Sequence, residues 1–119
     1  MTAVKQFSEL LVWQKAHALT LEAYSLSGLY PKSEIFGLSS QSRRAAVSVP
    51  SNIAEGFKRK TKTDSLHFYT VAEGSLEELK YQLLLAQDLS YITKEQYDRV
   101  MALAEDVGRL LHGWKRIQK

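Results

Sequence analysis

Between Leu66 and Ala86 the apolar residues recur at alternating intervals of three and four: Leu66, Tyr69, Ala72, Leu76, Leu79, Leu83 and Ala86. That spacing sets them on one stripe of an α-helix and is the seam of a helix bundle, whereas a half-buried strand needs every second position. A stripe this long has to be covered by other helices, so the rest of the chain is constrained to supply them. Thr63 reads as the N-cap, with Asp64 in the first turn, where the helix dipole favours a negative charge. Gly74 breaks the segment with a residue that costs up to about 1 kcal/mol relative to Ala in a helix, and close helix approach is the expected reason.

Three more segments carry the same period. The first runs from about Leu11 to Leu29 with Val12, Ala16, Leu19, Ala23 and Leu26 on one side, and Pro31 stops it. The second starts near Ser33, read as its N-cap, and reaches about Phe57 on Leu38, Ala45, Val49, Ile53 and Phe57. Pro50 lies inside it and predicts a kink or interruption. The fourth opens on Thr93-Lys94-Glu95-Gln96, a capping-box spacing. Its stripe of Tyr97, Val100, Ala104, Val107, Leu111 and Trp114 is widened by Met101, Leu103, Leu110 and Ile117, as if the helix buries one side in its own bundle and another against a second chain. Short connections make neighbours antiparallel, so the expected fold is all-α, an up-down-up-down four-helix bundle over residues 1–119.

At 119 residues there is room for one domain and one core. The chain has no Cys, which excludes disulfides and thiolate chemistry. No apolar run approaches the ~20 residues of a membrane span, and the first residues lack a secretory signal pattern, so a cytoplasmic protein without membrane association is expected. Chemistry finds little support. His17, His67 and His112 lie on different helices without ligand spacing, the glycines are isolated, and no serine sits in a nucleophile-elbow pattern. A hydrolase or nuclease using Glu55 or Glu73 would need a partner at suitable spacing, and neither has one. The sequence therefore points to a non-enzyme with no cofactor and no metal.

Charge is the more informative property. The net value is only +3, but Gln41 to Lys62 holds six bases against one acid, and Thr63 to Asp106 holds nine acids against three bases. The tail from Val107 then carries Arg109, Lys115, Arg116 and Lys119 with no acid. An antiparallel hairpin of the second and third segments sets Arg43 and Arg44 opposite Glu77 and Glu78, and Arg44 with Glu78 is the expected structural ion pair. Glu55 and Glu73 are further candidates for structural pairing. The run Lys58-Arg59-Lys60-x-Lys62 falls at a turn and cannot be core. A solvated turn is the common fate of such a run; contact with several phosphates is the functional alternative. Trp13 and Trp114 fit helical stripes and read as core or subunit-interface residues.

Three stretches carry a resemblance. They are Val12-Trp13-Gln14-Lys15-Ala16-His17; Phe36-Gly37-Leu38 with Gln41, Arg43-Arg44-Ala45-Ala46-Val47-Ser48-Val49-Pro50-Ser51-Asn52-Ile53-Ala54-Glu55-Gly56; and Ala72-Glu73-Gly74-Ser75-Leu76 with Glu78-Leu79. Together they resemble the 23S rRNA intervening-sequence protein family, departing from it at Phe57-Lys58-Arg59-Lys60, where a Gly-Arg type sequence is expected. The family name records where some members are encoded and establishes no activity. The resemblance implies a four-helix bundle assembled as a ring-shaped homopentamer. A similar fold occurs in the accessory protein of diversity-generating retroelements, which binds reverse transcriptase and nucleic acid through a basic surface. By that analogy Arg43, Lys58, Arg59, Lys60 and Lys62 are the candidate nucleic-acid-binding residues. The leading expectation is an oligomeric bundle binding RNA or DNA electrostatically, with basic turns repeated around a ring; the alternative is a protein–protein adaptor that binds no nucleic acid.

Overall fold

The structure, a computed structural model, describes residues 3–118. Four helices carry it: α1 (Leu11–Ser27), α2 (Leu38–Lys58), α3 (Lys62–Asp88) and α4 (Lys94–Arg116), with single 3-10 turns at Phe7–Glu9 and Lys32–Glu34. Side-chain contacts fix every direction. Thr20 and Ser27 of α1 meet Ala46 and Arg43 of α2; Ser48 and Gly56 meet Ser75 and Ser65 of α3; Thr70 and Glu73 meet Lys115 of α4. Arg99 of α4 reaches back to Glu22 of α1. Neighbours are antiparallel, as expected for an up-down-up-down bundle, and the expected stripes form one shared core in which Ala16, Leu19, Val49, Ile53, Leu79, Leu83, Val107 and Leu111 are fully buried.

Helix ends differ from the sequence expectation where polar residues compete for the cap. Thr61, not Thr63, caps α3: its hydroxyl accepts from the Asp64 amide at 3.1 Å. The box at Thr93 and Gln96 forms as expected. Ser33 does not begin α2. Its segment makes a single 3-10 turn, and α2 starts at Leu38, whose amide donates to the Glu34 carboxylate at 3.0 Å. The other Glu34 oxygen accepts from the Tyr91 hydroxyl at 2.8 Å, so one carboxylate joins the α1–α2 connection to the turn before α4.

Pro50 does not interrupt α2, which is helical on both sides of it. Proline has no N–H to give the carbonyl of residue 46. Thr20 of α1 supplies the missing donor, with its Oγ1 3.0 Å from Ala46 O and equally close to its own Ala16 O. The freed carbonyl thereby becomes an α1–α2 contact.

Glycine matters at 56, not at 74. A Cβ at Gly56 would stand 2.5 Å from the Tyr69 ring, which is buried against α2. Around Gly74 a Cβ would meet nothing within 4 Å, and no contact in the structure explains the glycine there.

Gly56→Ala should therefore cost about 1–3 kcal/mol by overpacking, while Gly74→Ala should stabilise by up to about 1 kcal/mol, both read by urea unfolding. Equal effects would contradict the assigned contact. Glu34 is held below its ordinary value of 4.5, first by the Leu38 amide and then by the Tyr91 hydroxyl. A depressed carboxylate stabilises fully above its unfolded pKa and loses that contribution as pH falls through the folded one. The melting-temperature gap between wild type and Glu34→Gln should be widest near neutrality and shrink on acidification through the carboxylate range; a constant gap would count against the linkage.

Candidate nucleic-acid interface

The α2–α3 turn is short because Lys58 ends one helix and Lys62 begins the next. Ser65 closes it, its hydroxyl donating to the Gly56 carbonyl at 2.8 Å. This forces Lys58, Arg59, Lys60 and Lys62 together on an exposed tip. They are not equivalent. Arg59 is paired with Glu55 at 2.5 Å, and its guanidinium lies 4.4 Å from the centre of the Phe68 ring. Lys58, Lys60 and Lys62 take part in no ion pair among the described residues. An exposed i,i+4 pair contributes only about 0.3–0.5 kcal/mol, so Arg59 is oriented by Glu55 and Phe68 but still accessible.

The antiparallel fold adds charge that lies far away in sequence. The C-terminal end of α4 packs on the first half of α3, about 10–17 Å along the axis from Lys62: Trp114 lies edge-on against Tyr69, with ring centroids 6.3 Å apart, and Lys115 bonds Glu73 at 2.7 Å. Arg116, one residue on, is exposed and unpaired among the described residues. The N-terminal segment lies there too, with Phe7 beside Lys58 and Ser51 along one shallow groove. Trp13 is half-buried, packed against the edge of the core and flanked by Phe7 and a stacked His17, each at 5.0 Å. The tip of the bundle therefore presents Lys58, Lys60 and Lys62, and Arg116 lies on the same half of the bundle.

Arg43 does not join them. It lies 15 residues before Lys58 on α2, about 22 Å away along the axis. There its Nε donates to Ser27 Oγ at 2.8 Å and its guanidinium stands 4.8 Å from the Tyr24 ring centre. The expected Arg44–Glu78 pair does not form: Arg44 points along the outer side of α2 into a groove with Ser40 and Val47, and Glu78 is exposed elsewhere on α3. Glu55 and Glu73 both pair, with Arg59 and Lys115, one within α2 and one across α3–α4. Arg116 was visible in the sequence only as part of a basic tail; its place on the half of the bundle that carries the α2–α3 turn needed the topology.

Among the described residues no group of three or more His, Asp or Glu side chains could hold a metal ion, and no helix is long and apolar enough to cross a membrane. Fold and surface define an all-α four-helix bundle with one basic pole. The chain belongs to the 23S rRNA-intervening sequence protein family, whose sequence pattern it matches over residues 8–113. Among solved structures it is similar to a protein of unknown function from the S23 ribosomal protein family of Bacteroides thetaiotaomicron. The two are 24% identical with a TM-score of 0.82, over 88% of this chain and 98% of that one, a likeness of fold. No curated protein matches the chain.

Proposed function

We propose that this chain is a non-enzymatic RNA-binding protein whose basic pole holds the phosphates of a structured RNA. The observation that carries the reading is the exposed cluster of Lys58, Lys60 and Lys62 on one short turn, with Arg116 on the same half of the bundle and none of the four in an ion pair among the described residues. Cations gathered on a rigid tip displace condensed counterions from a phosphate backbone, which supplies affinity without reading sequence. Phe68 and Arg59 provide a flat, polarised face beside them, of the kind on which an unpaired base stacks. Glu55 and Glu73, each engaged by a base, serve the architecture of the pole.

Self-association fits the same reading. Leu110 of α4 is half-buried and Ile117 and Leu11 are exposed along the α1–α4 face, and copies joined there would repeat the pole and raise avidity. The adaptor alternative differs in having no use for the pole.

The test is a titration of an RNA hairpin at several salt concentrations, on protein of measured mass. Replacing Lys58, Lys60, Lys62 and Arg116 by Gln should flatten the logarithmic salt slope by roughly three, whereas Arg43→Gln should leave the slope unchanged. Undiminished binding by the quadruple variant, or no binding by folded wild type, would overturn the reading. A mass equal to one chain would remove its avidity component.

A further inference from the structure

The molecule has a second cationic site, and its lining differs from that of the pole. Where α1 ends and α2 begins, a groove of about 630 Å³ opens along the outer side of the bundle. Lys32, Arg43 and Arg44 line it with no Asp or Glu among the lining residues, and none of the three takes part in an ion pair among the described residues. Arg43 is fixed to the wall by Ser27 and by the carbonyl and ring of Tyr24, which orients its charge without neutralising it. Apolar side chains stand beside these cations: Phe36 is 96% exposed and Ile35 53%, with Tyr24 and Val47 also open to solvent.

A nearly bare phenylalanine next to an isoleucine and three unneutralised cations is a contiguous patch of the kind that marks an interaction surface. We infer that this groove docks an acidic segment of another protein that carries apolar anchors. Charge complementarity selects the sign of the partner. Ile35 and Val47 beside Phe36 select its chemistry: together they make a broad, non-planar apolar surface that fits Leu or Phe side chains, and a base stacked on Phe36 or Tyr24 is the competing outcome that the RNA arm of the test reads. A channel along a helix pair suits an amphipathic helix, with its apolar side on Phe36 and Ile35 and its carboxylates over Arg43, Arg44 and Lys32. The site lies about 22 Å from the basic pole, so an RNA and a protein could be held at once.

The probe is a fluorescein-labelled amphipathic peptide with Leu on one helical face and Glu on the other, beside a control with Lys in place of every Glu. Anisotropy is read for wild type, for Phe36→Ser and Arg44→Gln, and for the variant with its basic pole neutralised. Both single positions are exposed, and circular dichroism checks that each variant remains folded. Expected are binding of the acidic peptide only, at least about tenfold weakening by Phe36→Ser and by Arg44→Gln, and full retention when the pole is neutralised. No binding, equal binding of the Lys control, or loss on neutralising the pole instead of the groove would overturn the proposal. So would finding that Phe36→Ser leaves peptide binding intact while reducing RNA affinity or solution mass. Because the pole variant is read separately, failure here leaves the RNA reading standing, and the converse holds.

Discussion

The bundle depends on how closely α2 approaches α3 at Gly56. The Tyr69 ring fills the space a side chain would occupy there, and the same ring takes the edge of Trp114 from α4. One buried aromatic thus gathers three helices at a single level. The basic turn is the next feature along the chain, held against that level by Ser65 on the Gly56 carbonyl. A wider α2–α3 spacing would withdraw Trp114, and with it the C-terminal turn that carries Lys115 and Arg116.

Elsewhere the fold uses backbone groups that a regular helix would leave unpaired. Pro50 frees the Ala46 carbonyl, and Thr20 of α1 directs its one hydroxyl proton there, shared with its own Ala16 carbonyl. The first amide of α2 finds a carboxylate in the preceding turn because Gly37 has no side chain to offer, and that carboxylate also holds Tyr91. Between α2 and α3, the Ser48 hydroxyl lies 2.7 Å from that of Ser75 and accepts from Asn52. The buried Thr20–Ala46 bond is worth about 1 kcal/mol. The larger effect of these bonds is on register, because a helix that slid by a turn would bury the same groups without partners.

Much of this was legible in the sequence, for a physical reason. The period of Leu66 through Ala86 reports the helix, and the three similar stripes with short breaks report an antiparallel bundle. Threonine hydroxyls misled by two residues at α3 because Thr61 and Thr63 are both competent caps and only the turn geometry separates them. Gly74 and Gly56 look alike in a local Ala-Glu-Gly pattern; which one meets a ring depends on a residue thirteen positions away. The Arg44–Glu78 expectation had the right helices and the wrong rotation, since about 100° per residue carries Arg44 to the outer side of α2. Likewise, Arg116 could not be placed on the same half of the bundle as Lys58 until α4 was known to run antiparallel to α3.

The two cationic regions follow from that geometry and differ in chemistry. The pole is charge on a rigid tip with aromatic support at Phe68; the groove is charge mixed with a wider exposed apolar surface of Phe36, Ile35, Tyr24 and Val47. The most direct measurement of the central claim is an amide chemical-shift map of the protein titrated with an RNA hairpin. The account predicts shifts confined to Lys58 through Lys62, Phe68 and the last turn of α4, with Ile35, Phe36 and Arg44 unmoved. Shifts centred on the groove, or spread evenly over every exposed lysine and arginine, would contradict it.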